Sequence, residues 1–297
     1  MVEMKKSPKY LEEVTFSDDL MPWQKGKIDF THSELFLGRY SKDDLMGIME
    51  KTGLMNVIRK KGYKDIIITI SREDFISRLY VNYERYDKET RLVELILREG
   101  MFRPKEVFIP RFDFSGGLHM ILVEWLALQD PAGVFSPEKP RLPGQAYPGL
   151  GGLRNLQAML YFFGENGGKE AVVDVPQHYH AAVIYSRLYS SIYKRLYSFF
   201  SPVDAGQLEA MSRDLVDRPL ADVSLAISNG CLIDVNTGET KFWRPSEQIY
   251  PTSALLREYV DSEEYKEIVE DSFRNSKYAI DWERYDKLKQ QGLSYDA

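Results

Sequence analysis

A glycine-containing turn that separates an apolar segment from a helical pattern is the first feature of this sequence that could do chemistry. Residues 147–152, YPGLGG, lie between the apolar run 119–129 and a series of leucines at helical spacing. Glycine lets a backbone approach a ligand closely, and the free N–H groups and dipole of a helix N-terminus favour phosphate or pyrophosphate. No Gly-Lys-Ser/Thr follows and G-x-G-x-x-G does not fit, so the turn is neither a P-loop nor a dinucleotide-binding fingerprint. It predicts an anion site, with a plain strand–helix connection as the alternative.

Histidine and carboxylate side chains form a second candidate site. His178 and His180 follow a β-branched run that includes Asp174, and two histidines with a carboxylate are a common set of metal ligands. That set predicts a zinc hydrolase or a non-haem iron enzyme as one alternative function. On a helix, however, residues two apart point about 200° away from each other, and no HExxH motif accompanies the pair. We therefore expect no metal site and assign His178 a capping or substrate-contacting role at a helix start.

Glu124 is the best candidate for a general base. It lies inside the otherwise apolar run HMILVEWLALQ, residues 119–129. Desolvation there would raise the pKa of its carboxyl group toward neutral pH, which suits general-base catalysis. The alternative is a side chain that faces solvent from the other side of the strand. No G-x-S-x-G motif marks a nucleophilic serine.

These candidates need elements that hold them in place, and the hydrophobic periodicity predicts such a set. The predicted elements are a helix over 43–63 interrupted near Gly53, a strand over 66–70, a hairpin over 75–99, a strand over 119–129, a helix over 150–163 that stops at Gly164, a strand over 171–175 and a long helix over 181–196. This order is typical of a mixed α/β protein whose helices pack on a partly antiparallel sheet. Strands 119–128 and 171–175 should be parallel neighbours, because a right-handed strand–helix–strand crossover joins them.

The pattern changes beyond Pro202, where residues 206–220 and 252–275 are predicted to be helical. The stretch 224–243 indicates a hairpin that turns at 236–238. We therefore divide the chain into an N-terminal arm, 1–40, a core, 41–200, and a C-terminal extension, 201–297. The extension carries too much apolar and aromatic surface for a free tail, so we expect it to dock on the core or on a second subunit.

Two motifs in the core give the chain a resemblance to a known family. In the GNAT superfamily of acetyl-CoA-dependent acyltransferases, a strand leads into an Arg/Gln-x-x-Gly-x-Gly/Ala turn that opens a helix, and a second strand leads into Asn-x-x-Ala-x-x-Leu-Tyr-x-x-x-Gly-Phe. The turn at 147–152 resembles the first motif. The second is resembled by the segment that begins at His178, where the matching places hold Ala181, Ile184, Tyr185 and Leu188. The resemblance covers roughly residues 41–200 and implies a GNAT-like fold, in which the two strands part at a bulge.

The resemblance also implies a reaction and roles for individual residues. The protein would move an acyl group from acetyl-CoA or another acyl-CoA to an amine on a small molecule or a peptide. Glu124 and Tyr185 would be catalytic, Tyr185 by protonating the departing thiolate, although core packing of its ring is an equal alternative. The pantetheine part of the co-substrate would bind to Leu126, Ala127 and Leu128. Its pyrophosphate would bind to Gly149, Leu150, Gly151 and Gly152, and His178 would also contact the co-substrate. A non-catalytic binding or assembly protein of the same fold is the main alternative, because Ala146 and Tyr189 depart from the two motifs.

The composition disfavours several other functions. The 297 residues carry 39 Lys and Arg against 45 Asp and Glu, a net charge of −6, which does not suit a nucleic-acid partner. No apolar run is long enough to span a bilayer, the N-terminus lacks a signal-peptide pattern, and Cys231 is the single cysteine. We therefore expect a cytoplasmic protein with no membrane partner, and a homodimer is compatible with the sequence.

Overall fold

Helices pack on both faces of a central sheet in the computed structural model, which describes residues 16–17, 35–137, 139–187 and 197–292. The helices are α1 (Lys42–Lys51), α2 (Leu54–Lys60), α3 (Leu153–Asn166), α4 (Tyr179–Ser186), α5 (Pro202–Asp214), α6 (Leu220–Ser228), α7 (Ala254–Asp261), α8 (Glu263–Asn275) and α9 (Trp282–Gln291). The strands are β1 (Phe16–Ser17), β2 (Ile66–Glu73), β3 (Ile76–Tyr83), β4 (Arg91–Phe102), β5 (Leu118–Leu128), β6 (Ala171–Asp174), β7 (Ser198–Phe199), β8 (Leu232–Asp234), β9 (Gln248–Pro251) and β10 (Tyr278–Ile280).

The main sheet is mixed and has the strand order β2-β3-β4-β5-β6-β9-β7, with β1 paired to the end of β4. Neighbouring strands are antiparallel except β5 and β6, which run parallel. The predicted mixed α/β fold and the predicted parallel pair are therefore confirmed. Strands β8 and β10 form a separate antiparallel pair in the C-terminal part of the chain.

Helices α1 and α2 cover one face of the sheet. Ser41 caps α1 in a capping box: its hydroxyl accepts the Asp44 N–H at 3.2 Å, and the Asp44 carboxylate accepts the Ser41 N–H at 2.9 Å. Gly53 separates the two helices with φ +78°, a left-handed conformation that favours glycine. The predicted interruption near Gly53 is confirmed. Leu45 of α1 and Ile58 of α2 are completely buried in the core beneath them.

The side chains of β5 alternate between two hydrophobic cores. Ile121 and Val123 belong to the core under α1, α2 and α3, whereas Met120 and Leu122 belong to the core under α7 and α8. Successive residues of a strand point to opposite faces, so a strand covered on both sides is apolar throughout. This explains the almost unbroken apolar run that predicted the strand.

Helix α3 follows the glycine turn, as the sequence predicted, but it does not stop at Gly164. It continues to Asn166, and Gly164 lies inside it, buried. A Cβ atom at Gly164 would lie 2.8 Å from Cγ2 of Val172 on β6. The glycine therefore permits close packing of the helix on the sheet and does not end the helix.

The C-terminal extension packs on the rest of the chain and shares its sheet. Strand β9 lies between β6 and β7, and Leu256 and Tyr259 of α7 are buried against β5 and β6 in the second core. The predicted hairpin over 224–243 is confirmed around its turn at 236–238, where Ile233 bridges Thr240 and the Lys241 N–H donates to the Leu232 carbonyl at 2.8 Å. Its first residues, Ser224–Ser228, instead form the end of α6. The following strand, β8, pairs with the distant β10.

Two predicted segments fall largely outside the described residues. Of the arm predicted over 1–40, the structure describes 16–17 and 35–40. Of the helix predicted over 181–196, it describes 181–187, and α4 ends at Ser186.

Candidate active site

The parallel strands β5 and β6 part at their carboxyl ends. Their pairing begins with Met120 and Ala171 and ends with Val123 and Asp174, while β5 continues alone on this side to Leu128. The register between β4 and β5 shifts at the same level, because Glu124 is an extra residue on β5. A bulge of this kind bends the strand that carries it. Because β5 bends here and β6 ends, the last five residues of β5 do not pair with β6.

Glu124, the predicted general base, lies in this bulge and forms an ion pair with Arg98 of β4. Its side chain is 11% exposed, so the predicted burial is largely met. The partner was not anticipated. Since Arg98 binds the carboxylate directly, Glu124 can accept a proton from a substrate only when this ion pair opens.

The last residues of β5, predicted to bind pantetheine, are half-buried and paired with β4 on one side. On the other side the turn before α3 returns to the strand. The Leu150 N–H donates to the Leu128 carbonyl at 3.2 Å, and the Asp130 N–H donates to the Pro148 carbonyl at 2.8 Å. The Leu128 carbonyl is therefore already bonded, whereas Leu126 and Ala127 lie before the returning segment.

The turn at 149–152 opens α3, as predicted, but its members have different roles. Leu150 is buried in the core, and Gly149 forms an isolated antiparallel bridge with Gln129, the residue that follows β5. Gly152 packs against α2, where an added Cβ would lie 2.9 Å from Leu54 Cδ1. Gly149 and Gly151 are both exposed, but within this turn only Gly151, with φ +87°, has no atom within 4 Å of an added Cβ.

The start of α3 is positively polarised and carries a positive side chain. Among the described residues, the N–H groups of Gly151, Gly152 and Leu153 have no hydrogen-bond acceptor. Arg154, in the first turn, is exposed and has no ion pair within the described ranges. A cation is electrostatically unfavourable at a helix N-terminus, where the dipole is also positive, unless an anion binds there.

Tyr185, the predicted proton donor, lies on α4 beside a cluster of buried phenols. Its ring centroid is 6.0 Å from that of Tyr197, and Tyr197 is 6.0 Å from Tyr161 of α3. Burial and the nearby Asp174 carboxyl raise the pKa of the Tyr185 hydroxyl above its usual value. The structure therefore supports both interpretations of Tyr185, since the residue packs against the core and also faces a polar group.

The sequence pattern indicates Asp174 only as a possible metal ligand, but the structure gives it a different environment. It is 5% exposed at the end of β6, where β5 and β6 part. Burial raises the pKa of its carboxyl group to about 7. The Tyr197 hydroxyl opposes that rise, although it does not reach full hydrogen-bond geometry.

Unpartnered polar atoms lie in the same layer of the molecule. Within the described ranges, Gln157 Nε2 of α3, the Tyr197 hydroxyl and Gln248 Oε1 of β9 are buried and make no hydrogen bond. Gln157 lies one helical turn before Tyr161, and Gln248 pairs with Asp174 across the sheet. Buried polar atoms are rarely left without a partner, so a group of them indicates water or a polar ligand.

His178 and His180 stack, contrary to the expectation that they point apart. Their ring centroids are 5.4 Å apart with an interplanar angle of 11°. His178 occupies the N-cap position with extended backbone and so lies outside the helical spacing, but its side chain makes no capping hydrogen bond. The Ser224 hydroxyl lies 2.9 Å from His180 Nδ1, and burial lowers the pKa of His180 to about 3. No group of three potential metal ligands occurs among the described residues.

Two concavities lie elsewhere in the described part of the molecule. A cavity of about 430 Å³ lies between α5 and the segment 234–246, and one of about 300 Å³ lies between 102–108 and 200–204. None of the predicted site residues lines either cavity.

Tyr185 and the glycine turn follow β6 and β5 in the structure, as the sequence predicted. Asp174 was indicated only as a possible metal ligand, and no pattern in the sequence assigned a role to Gln248 or Arg154. Asp174 had a local signal, since a carboxylate closing the apolar run AVVD suggests a buried acid. Gln248 had none, because its position depends on a strand pairing between distant segments.

The chain matches no protein-family model, no curated protein and no solved structure. None of the helices in the described part of the chain combines the length and the apolar character that crossing a membrane requires.

Proposed function

We propose that this protein is a GNAT-like N-acyltransferase, which moves an acyl group from acyl-CoA to an amine. The observation that carries the proposal is the parting of the parallel strands β5 and β6 beyond Val123 and Asp174, at the Glu124 bulge. The glycine turn and α3 follow from the same strand end. A parting pair of parallel strands with a bulge is the feature that the resemblance to the GNAT superfamily implies.

The charge distribution at the start of α3 supports a pyrophosphate site. The N–H groups of Gly151, Gly152 and Leu153 lack acceptors within the described residues, and Arg154 adds a full positive charge. Phosphate oxygens accept from backbone N–H groups and pair with guanidinium, so an anion of this class satisfies every group named.

The polar atoms near the parted strands support an amide-containing ligand. Gln157 Nε2 is a donor and the Tyr197 hydroxyl is both a donor and an acceptor; each is buried without a hydrogen-bond partner in the described part of the chain. Pantetheine carries two amide groups, each with a donor and an acceptor. Such a ligand, or ordered water, would remove the penalty of about 1–3 kcal/mol that each unmade hydrogen bond carries.

The proposed reaction is direct transfer. The acceptor nitrogen attacks the thioester carbonyl, the carbon–sulfur bond breaks, and the departing thiolate takes a proton from the Tyr185 hydroxyl. A raised pKa keeps the Tyr185 phenol protonated and available as an acid. Glu124 can act as the base for the acceptor nitrogen only if it leaves Arg98.

A non-catalytic binding or assembly protein of the same fold is the second candidate. It is favoured by the hydrogen bond from Leu150 to the Leu128 carbonyl, which closes part of the strand edge expected to bind pantetheine. The two candidates differ in one observable, because only the first requires acyl-CoA to bind and react.

Calorimetric titration of the full chain with acetyl-CoA and longer acyl-CoAs tests the proposal. Gly151→Leu should weaken binding at least tenfold, because the new side chain would project into the space before α3. Gly62→Leu is the matched control: Gly62 has φ +88° and no atom within 4 Å of an added Cβ, but it lies at the end of α2. Both variants carry the same backbone strain, about 1–2 kcal/mol, so an affinity loss specific to Gly151 reports the site.

Release of free thiol in the presence of a panel of amines then tests catalysis. Wild-type protein that binds no acyl-CoA at millimolar concentration would remove the acyltransferase proposal in favour of the second candidate. Binding without thiol release from any amine would favour a binding protein of the same fold.

A further inference from the structure

Asp174 is a buried carboxyl group without a charged partner. It is 5% exposed, every residue of β6 is buried, and no ion pair of Asp174 exists within the described ranges. Aspartate is almost never fully buried unless it is paired. A carboxyl group in this environment is therefore favoured in its neutral form.

Three phenols from different elements interact with Asp174. Tyr161 comes from α3, Tyr185 from α4, and Tyr197 from the segment before β7, and all three interact electrostatically with the carboxyl. None of them carries a positive charge. Burial consequently dominates, and it raises the pKa of the Asp174 carboxyl to about 7.

The amide of Gln248 provides an independent, geometric reason for a neutral Asp174. Gln248 Nε2 donates to the Ala182 carbonyl at 3.1 Å and to Ser186 Oγ at 2.8 Å. Since the Ser186 hydroxyl itself donates to the Ala182 carbonyl, both contacts are acceptors and the amide cannot be flipped. The orientation of Gln248 Oε1 is thereby fixed, and it is a buried acceptor with no donor among the described residues.

The sheet register brings Gln248 and Asp174 together. They are directly opposite partners in the antiparallel pair of β6 and β9, so they share a face with Cβ atoms about 5 Å apart. A neutral carboxyl group can donate to the unpartnered oxygen, whereas a carboxylate would repel it. The hydrogen-bond donor that Gln248 Oε1 lacks can therefore be the hydroxyl of a neutral Asp174 carboxyl group.

We propose that Asp174 is a proton-relay residue, a carboxyl group that is neutral at rest, donates to Gln248 and exchanges its proton with Tyr185. This rests on the function proposed above. When Tyr185 has protonated the departing thiolate, Asp174 returns a proton to the phenolate. The resulting carboxylate takes the proton that the acceptor nitrogen releases as the amide forms. One proton leaves nitrogen and one reaches sulfur, and both Tyr185 and Asp174 end as they began.

Infrared spectroscopy tests the protonation of Asp174 without any need for activity. Full-length protein is titrated from about pH 5 to about pH 9, and the carbonyl band of neutral carboxylic acids is followed. The wild type should lose a band with a midpoint near 7, and Asp174→Asn should lack that band. Tyr197→Phe should move the midpoint upward, because the Tyr197 hydroxyl lowers the pKa of Asp174.

Glu247→Gln is the matched control for the infrared experiment. Glu247 is another carboxyl whose pKa is raised by burial, but it faces a different cavity, with Phe200 and Lys105. Its substitution should leave the Asp174 band in place. A wild-type band that survives in Asp174→Asn would overturn the inference, whether or not the protein transfers acyl groups.

The relay step is tested by the pH dependence of turnover. The wild-type kcat should fall as the pH rises through about 7, because the relay needs a neutral Asp174. Asp174→Asn should lower kcat by about 100-fold or more and abolish this fall, while Asp174→Glu should restore part of both. An Asp174→Asn variant with the wild-type rate and pH profile would refute the relay, and absence of acyl-CoA turnover in the wild type would instead refute the proposed function.

Discussion

Replacement of Asp174 by asparagine should stabilise the protein at alkaline pH and leave its stability almost unchanged in acid. The pKa of the carboxyl is about 7 in the folded chain and 3.8 for an unperturbed aspartate. Between these values the folded state binds a proton that the unfolded state has lost. The free energy of unfolding of the wild type therefore falls as the pH rises from about 4 to about 7.

The size of the effect follows from the difference between the two pKa values. About three pH units at about 1.4 kcal/mol each give a penalty of about 4 kcal/mol for ionised Asp174 above pH 7. Asparagine has the same shape, never ionises, and can donate from its amide to Gln248 Oε1. The variant should exceed the wild type by about 4 kcal/mol in the free energy of unfolding at about pH 9, or about 8 °C in Tm.

Denaturant unfolding of both proteins between about pH 4 and about pH 9 measures this difference, and other titrating groups cancel in the comparison. Asp214→Asn is a control of opposite sign, because Arg213 and the Tyr278 N–H lower the pKa of the Asp214 carboxyl. That variant should be less stable than the wild type at neutral pH by about 1–2 kcal/mol, and the loss should vanish in acid. Parallel stability curves for wild type and Asp174→Asn would refute the reasoning about Asp174.

Three further predictions concern other parts of the molecule. Arg154→Ala should weaken acetyl-CoA binding several-fold in calorimetry, and the loss should be smaller at high salt. The control Arg85→Ala, in an exposed turn, should leave the affinity unchanged. An Arg154→Ala variant with the wild-type affinity would exclude Arg154 from the anion site. Gly206→Ala should lower the free energy of unfolding by about 1–3 kcal/mol, because the new Cβ would lie 2.3 Å from a carbonyl oxygen of α8. The control Gly47→Ala has no atom within 4 Å of the new Cβ and should raise the free energy of unfolding by up to about 1 kcal/mol. Equal melting temperatures of the two variants would contradict the close packing of α5 on α8. Truncation after Pro202 should give insoluble protein, because it removes β9 from between β6 and β7, and a soluble fragment with a cooperative melt would show that β9 is dispensable.

The sequence by itself determined the elements that surround the site. Ser41 with Asp44 and Gly53 defined the first helices, and the apolar run of β5, interrupted only by Glu124 after His119, marked a buried strand. The parallel pairing of β5 and β6 also followed, because the handedness of strand–helix–strand crossovers leaves few alternatives. Periodicity, capping and crossover handedness act over short stretches of chain, and a local pattern is enough to predict them.

The tertiary structure alone decided which side chains meet. Gln248 faces Asp174 because β9 inserts beside β6, and no local pattern in the C-terminal extension specifies that partner. His178 stacks on His180 because its backbone is extended at the N-cap, where helical spacing no longer applies. Glu124 has Arg98 as its partner because a bulge shifts the register between β4 and β5. Pairing, register and burial depend on how the whole chain packs, and they are what gives the Asp174 carboxyl its environment.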